Sequence, residues 1–173
     1  MIRAFTSVIL MLAAGFAFAQ EGAPNDAQIA QIVVTANQVD IDAGKLAQTK
    51  ASNTEVKQFA ETMIKDHGAV NKQATDLVTK LKVKPEENAT SRSLAQGGRD
   101  NLAHLKELKK GAEFDKAYVD HEVAYHQAVI DALDKTLIPN AKNAELKGLL
   151  EKSRPAFVAH LDHAKMLQSK LGK

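Results

Sequence analysis

The sequence contains no cysteine and no tryptophan, and aromatic residues make up only 5% of its 173 residues. Without cysteine the chain cannot form disulfides, use thiol chemistry, or bind zinc or iron–sulfur clusters through thiolates. The shortage of aromatic side chains argues against grooves that bind sugars or single-stranded nucleic acid by stacking. Basic and acidic residues nearly balance, at 23 and 21, so the positive surplus that holds a phosphate backbone is missing. We therefore expect no nucleic acid among the partners.

The longest apolar stretch lies at the N-terminus, in residues 4–19. Arg3 precedes it, and Ala17-Phe18-Ala19 ends it in the small-x-small pattern that signal peptidase cleaves. The stretch is short for a membrane span. We predict a cleaved signal peptide over residues 1–19 and a single helical-bundle domain over residues 20–173. The mature protein is then periplasmic or secreted, without stable membrane insertion, and its oligomeric state stays open.

Alanine, leucine, lysine, glutamate and glutamine dominate the rest of the chain, which is typical of helical bundles. Gly97-Gly98 should bend or fray the third predicted helix, and Pro155 should kink the last. Short connections make consecutive long helices antiparallel neighbours. The predicted fold class is therefore all-α, an antiparallel four-helix bundle with the short third helix as a crossover. The five predicted helices span residues 26–50, 54–82, 90–109, 113–137 and 143–171.

Ionisable residues occupy the apolar faces of all four long helices. In the second helix, apolar residues recur at alternating spacings of four and three, and a histidine stands in the middle of this pattern. The last helix repeats the arrangement with another histidine. The first helix has an aspartate on its apolar face, and the fourth has a glutamate with a histidine one turn later. The inward-facing residues are Asp40, His67, Glu122, His126 and His160.

Helix geometry predicts that these five groups meet. Counted from the turns at 1.5 Å per residue, Asp40 and His67 lie within about one helical turn of the same height, and Glu122 and His160 lie near one level. A buried unpaired charge costs several kcal/mol in a domain stabilised by about 5–15 kcal/mol, so the groups must bind one another or a ligand. Carboxylates with neutral imidazoles suit zinc, copper or iron. The alternative is a closed polar network that only fixes helix register.

Sequence motifs argue against most enzyme classes. Ferritin-like di-iron sites need Glu-x-x-His, which is missing, so ferroxidase and di-iron oxygenase chemistry is disfavoured. Nucleotide-binding loops, nucleophile elbows and His-Glu-x-x-His are missing as well, and we predict no catalytic residues. The remaining histidines and both tyrosines need no ligand role. We expect His104 and His163 on the surface, His121 beside a carboxylate, and Tyr118 and Tyr125 in the core with hydrogen-bonded hydroxyls.

Three segments carry a family resemblance: DIDAGKLAQTKASNTEVKQFAETMIKDH (40–67), GAEFDKAYVDHEVAYHQAVI (111–130) and LKGLLEKSRPAFVAHLDHAKML (146–167). They resemble the exported bacterial proteins of the domain of unknown function 4142 family, which is assigned to the ferritin-like superfamily. The resemblance implies a ferritin-like bundle, export, and no established reaction. The family's acidic residue in the first helix and its later histidines match Asp40, His67, His126 and His160. Asp40 departs from the pattern, because the family usually carries glutamate there.

These observations predict an exported helical-bundle protein of unestablished function. The favoured interpretation is a non-enzymatic binding or stress-related protein with a buried transition-metal site for zinc, copper or iron. One alternative is a metal-dependent oxidoreductase of ferritin-like type. The other is a purely structural or interaction module whose core holds a closed polar network. The candidate metal ligands are Asp40, His67, Glu122, His126 and His160.

Overall fold

The computed structural model describes residues 22–172, so the predicted signal peptide lies outside the described residues. The described part is all-helical and contains no β-strand, which confirms the predicted fold class at that level. None of its helices combines the length and apolar character that crossing a membrane requires. The five main helices are α1 (Asp26–Lys50), α2 (Thr54–Lys80), α3 (Ala89–Glu107), α4 (Ala112–Ala132) and α5 (Ala144–Leu171).

Asparagine caps explain where the helices begin. The side chains of Asn25, Asn53 and Asn143 accept hydrogen bonds from backbone N–H groups in the first turns of α1, α2 and α5. These bonds satisfy N–H groups that have no partner within the helix. Helix α2 ends two residues earlier than predicted, because Lys82 takes a left-handed conformation with φ 53°.

Helices α1 and α2 form one helical hairpin, and α4 and α5 form the other. Each hairpin is joined to the other through an aspartate. The Asp115 carboxylate, in the first turn of α4, accepts hydrogen bonds from the backbone N–H groups of Ser52 and Asn53, both at 2.9 Å. At the other end, Asp26 in α1 accepts from the backbone N–H groups of Lys142 (2.8 Å) and Asn143 (2.9 Å). Helices α1 and α4 therefore run in opposite directions, each beginning beside the turn of the other hairpin.

Helix α3 packs along α1 and approaches it closely at Gly98. A Cβ atom added at Gly98 would lie 2.6 Å from Cγ2 of Val39, whereas one added at Gly97 would meet no described atom within 4 Å. The sequence predicted a bend or fraying at these glycines, but α3 continues through both of them. Gly98 instead lets the two helices pack without a clash.

Helix α4 leads into an irregular element, whereas α5 is continuous through its proline. The sequence predicted an α-helix up to Leu137, but α4 passes into a π-helical turn, Leu133–Leu137, and then a short helical turn, Ile138–Asn140. Helix α5 continues across Pro155, where the sequence predicted a kink. Arg154 forms two hydrogen bonds to the Asp134 carboxylate, at 2.6 and 2.7 Å, which link the π-helical turn to α5.

Buried apolar side chains form two clusters, one toward each end of the helices. We call the first the packed cluster, which includes Ala43, Ala47, Val56, Phe59, Met63, Phe114, Tyr118 and Leu167. We call the second the cavity cluster, which includes Ile29, Val33, Leu94, Tyr125, Leu133, Leu137, Leu150 and Phe157. Along each of α1, α2, α4 and α5 the five predicted site residues lie between members of the two clusters, so a polar layer separates them.

Candidate metal centre

The structure places all five predicted site residues in the interior. Asp40 lies on α1, His67 on α2, Glu122 and His126 on α4, and His160 on α5, so four helices contribute to one layer. Because apolar clusters cover this layer on both sides, the charges and lone pairs of its side chains act in a medium of low dielectric.

The side chains of the polar layer converge. Asp40 Oδ2 lies 2.8 Å from Nε2 of His67 and 3.4 Å from Nε2 of His126, and Glu122 Oε2 lies 3.4 Å from Nδ1 of His126. The ring centroids of His67, His126 and His160 are 5.2–5.5 Å apart. One ligand atom from each of these three histidines lies within 4.8 Å of the other two, and the same holds for Asp40, Glu122 and His126.

Asn37 fixes which nitrogen of His67 carries the proton. The Asn37 amide Nδ2 donates to the carbonyl oxygen of Val33 at 2.9 Å, so its Oδ1 is the atom that faces His67. That oxygen only accepts hydrogen bonds and lies 2.7 Å from His67 Nδ1. His67 therefore donates from Nδ1, and the lone pair of its neutral form is on Nε2, which faces Asp40.

The other two histidines are anchored in the same manner. His126 Nδ1 donates to the backbone carbonyl oxygen of Glu122 at 3.0 Å, and His160 Nε2 donates to the Asp66 carboxylate at 3.0 Å. Both partners are acceptors, so in its neutral form each histidine directs the lone pair of its other ring nitrogen into the layer. A hydrogen bond from one ring nitrogen to an oxygen acceptor is the usual way in which proteins orient a metal-binding imidazole.

When the histidines are neutral, the atoms that face the centre of the layer have no hydrogen-bond partner among the described residues. Every one of them is an acceptor when the histidines are neutral and the carboxylates ionised, so they cannot satisfy one another. Each buried unsatisfied group costs about 1–3 kcal/mol. A cation or additional protons would satisfy them, so these potential ligand atoms fit a metal ion. The atoms are both carboxylate oxygens of Asp40 and of Glu122, Nε2 of His67 and of His126, and Nδ1 of His160.

The pKa values of the buried groups indicate which of them are charged when the layer holds no metal. Burial alone raises the pKa of Asp40, but the adjacent histidines, His67 above all, bring that pKa down to about 2. Burial lowers the pKa of His126, but its contacts with Glu122 and the charge of Asp40 raise it to about 9. Burial lowers the pKa of His160 below its usual value. Without metal at neutral pH, Asp40 is therefore ionised and His126 carries a proton.

The sequence analysis did not predict two residues that contact the polar layer. Asn37 lies three residues before Asp40 on the same helical face, so the helical wheel offered a signal for it. Asp66 precedes His67 on α2 and reaches His160 on α5, a contact that depends on how the two helices pack.

The other aromatic and histidine residues follow the predictions in part. The Tyr125 hydroxyl donates to the backbone oxygen of Ala36 at 2.8 Å, as predicted. The same prediction is wrong for Tyr118, whose hydroxyl is buried without a hydrogen-bond partner in the described part of the chain. His121 Nδ1 lies 3.7 Å from Glu122 Oε1, too far for a hydrogen bond. His104 is exposed.

The chain belongs to the family described as Domain of unknown function (DUF4142), which matches residues 12–167. No curated protein matches the sequence significantly. A solved structure described as "CopM in the Cu(II)-bound form" is similar to this chain, with a TM-score of 0.65 and 18% sequence identity. The similarity covers 85% of this chain and 98% of that one, and at this identity it concerns the fold.

Proposed function

We propose that this DUF4142 member is an exported protein that binds one divalent transition-metal ion in its polar layer. The observation that carries the proposal is a pair of buried, overlapping groups of ligand atoms, each within 4.8 Å: one from His67, His126 and His160, the other from Asp40, Glu122 and His126. His67, His126 and His160 would supply nitrogen ligands, and Asp40 and Glu122 oxygen ligands.

The chemistry of the donors favours copper(II) or zinc(II). Imidazole nitrogens combined with carboxylate oxygens suit these borderline ions, whereas magnesium and calcium prefer oxygen ligands alone. Copper is the ion to test first, because the structure similar in fold is described as Cu(II)-bound, although that description concerns the other protein. Iron has the weaker case, because the chain has no Glu-x-x-His motif.

We further propose a ferritin-like antiparallel four-helix bundle, built from α1, α2, α4 and α5 with α3 alongside, as the single domain over residues 20–173. The two aspartate contacts that join the hairpins support this topology. Residues 1–19 would direct export as a signal peptide, and their cleavage would release the protein into the periplasm or the medium.

Binding is a better role than catalysis for this layer. Its five site residues are buried between apolar clusters, and the cavity that reaches the layer at Asn37 and His67 has a volume of only about 50 Å³. A metal-dependent oxidoreductase that acts on a bulky substrate would require a wider path to the reacting atoms. We therefore place the runner-up, an oxidoreductase of ferritin-like type, below metal binding.

Metal titration of the untagged mature protein tests the proposal. Calorimetry with copper(II) and with zinc(II) should show one equivalent bound, and metal analysis of the dialysed complex should agree. His67→Leu should abolish binding while the helical circular dichroism spectrum persists, because leucine fits an apolar helix face. His104→Leu is the matched control, since His104 is an exposed histidine on α3, and it should bind as the wild type does. Absence of binding by the wild type, or unchanged binding by His67→Leu, would contradict the proposal.

A closed polar network is the second candidate, and the ion pair between Asp40 and protonated His126 favours it. In that case no added metal should raise the melting temperature of the wild type. His67→Leu should nevertheless destabilise the protein, because Asp40 would lose its nearest partner. Melting curves of both proteins with and without copper or zinc separate the two candidates.

A further inference from the structure

Along the interface between α2 and α5, the exposed fraction of the potential ligands falls from the surface into the polar layer. The Asp66 side chain on α2 is 41% exposed, and its partner His160 on α5 is 8% exposed. Deeper in, the His67 side chain is 2% exposed and that of Asp40 is fully buried. Exposure thus falls stepwise along a continuous series of potential ligands, from a carboxylate at the surface to a carboxylate in the core.

His160 connects the two ends of this series. Its Nε2 donates to Asp66 Oδ2 at 3.0 Å on the solvent side, while its Nδ1 lies buried without a hydrogen-bond partner among the described residues. The His160 ring also lies 5.2 Å from the His67 ring. One imidazole therefore contacts a surface carboxylate through one nitrogen and faces the proposed centre with the other.

We propose that Asp66 and His160 form the access point through which a divalent cation enters the polar layer, with Asp66 as the positioning residue for His160. This inference rests on the proposed metal-binding function. Asp66 attracts the hydrated cation and replaces part of its water shell with carboxylate oxygens. Movement of the His160 ring then opens the way to His67 and Asp40, and the bond to Asp66 returns the ring to its place.

Exposed ion pairs lie near both ends of the α2–α5 interface. Lys170 contacts Glu55 at 2.5 Å at one end, and Lys80 contacts Glu145 at 2.5 Å at the other. Each pair carries little net charge, whereas the middle of the interface presents the Asp66 carboxylate.

The other partly exposed neighbour of the layer is less suited to admit a cation. His121 has a 25% exposed side chain and lies 3.7 Å from the Glu122 carboxylate. Its ring is stacked on that of Tyr125 at 5.5 Å and 18°, which holds it in place. An imidazole also lacks the negative charge that attracts a cation. His121 therefore provides the competing route for the experiment to test.

Stopped-flow mixing of the metal-free protein with copper(II) measures access directly. Asp66→Asn keeps a hydrogen-bond acceptor for His160 but removes the charge, so the association rate should fall about tenfold, the lower range of electrostatic steering. Asp66→Ala also removes the acceptor, so copper affinity should fall by about 10–100-fold in addition. Asp76→Asn is the matched control, because Asp76 is an exposed α2 aspartate paired with Lys72, and its rate should equal that of the wild type.

The possible outcomes separate this inference from the function on which it rests. If the wild type takes up neither copper(II) nor zinc(II), the proposed function fails and the access point fails with it. If the wild type takes up copper and Asp66→Asn does so equally fast, only the access point is overturned. A larger slowing by His121→Ala than by Asp66→Asn would also overturn it, in favour of the α4 side.

Nitrogen-15 spectra of the metal-free imidazoles test the positioning role separately. His160 should be protonated at Nε2 in the wild type and in Asp66→Asn, and should populate both tautomers in Asp66→Ala. An unchanged tautomer in Asp66→Ala would overturn the positioning role of Asp66.

Discussion

The two apolar clusters that enclose the polar layer differ in how well they are filled. In the packed cluster, alanines such as Ala43, Ala47 and Ala60 lie beside the large side chains of Phe59 and Tyr118, all of them completely buried. The cavity cluster instead borders a cavity of about 50 Å³ that reaches the polar layer at Asn37 and His67. The proposed centre is thus held by dense packing on one side and adjoins empty volume on the other.

The backbone is also less regular at the cavity end than at the packed end. The π-helical turn, Leu133–Leu137, belongs to the cavity end, and Leu133 and Leu137 line the cavity. Irregular helix turns alter the register of side chains, so facing residues interdigitate less completely. We infer that the packed end fixes the positions of the site residues and that the cavity end tolerates small changes in them.

Truncation of one large side chain in each cluster tests this difference most strongly. Met63→Ala in the packed cluster should lower the free energy of unfolding by about 4 kcal/mol, and Leu150→Ala in the cavity cluster by about 2 kcal/mol. The packed end cannot relax into the space left by Met63, whereas the cavity end already tolerates empty volume. Urea denaturation of the metal-free proteins measures both values. A loss at Leu150 equal to or above that at Met63 would contradict the inference.

The polar layer should respond to pH, unlike the clusters on either side of it. The pKa of His126 is raised to about 9, so its contribution to stability is complete below pH 6.5 and is lost as pH rises through 9, about 3 kcal/mol in all. The pKa of Asp40 is lowered to about 2, so its contribution, about 2 kcal/mol, is present above pH 3.8 and lost as pH falls through 2. The two values describe one ion pair and do not add. Metal-free stability should therefore be greatest between pH 4 and 6.5.

Denaturation curves from pH 2 to pH 10 check this profile. His126→Gln should remove the loss at alkaline pH, and His104→Gln, which changes an exposed histidine, should retain it. Metal must displace the proton on His126, so the stabilisation by zinc or copper should increase between pH 6 and pH 9. An alkaline loss that persists in His126→Gln would assign the titration to another group.

The aspartates that join the hairpins provide a smaller contrast between the two ends. Asp115, beside the packed cluster, is buried and accepts hydrogen bonds from two backbone N–H groups and the Ser52 hydroxyl. Asp26, at the cavity end, is only partly buried and accepts two. Asp115→Ala should therefore cost about 2 kcal/mol and Asp26→Ala about 1 kcal/mol. Equal losses in thermal unfolding would show that burial does not distinguish these contacts.

Much of the fold could be predicted because its determinants are local. Asn53 and Asn143 follow short breaks in the helical pattern and cap the next helices, and apolar spacing alone identified the inward faces that carry His67 and His160. The five buried ionisable residues could be predicted in this way because a polar residue within an apolar pattern is conspicuous in a single helix.

What could not be predicted depends on contacts between helices. The bond from His160 to Asp66 requires the relative rotation of α2 and α5, and the close approach at Gly98 requires the position of α3 on α1. The Tyr118 hydroxyl was expected to have a partner, but the surrounding packing provides none among the described residues. Helical periodicity contains no information about such pairings.

Filling the cavity should produce the smallest effect and the most specific one. Ala128 lines the cavity, and Ala128→Val adds two methyl groups worth about 1.6 kcal/mol when buried. Valine loses about 0.6 kcal/mol of helix propensity relative to alanine, so the net gain should be about 1 kcal/mol. Ala124→Val is the matched control, because Ala124 is exposed one turn earlier on α4, and it should lose about 0.6 kcal/mol. If the free energy of unfolding falls by the same amount in both variants, the cavity cannot accept the added methyl groups. The inferred difference in packing between the two clusters would then be contradicted.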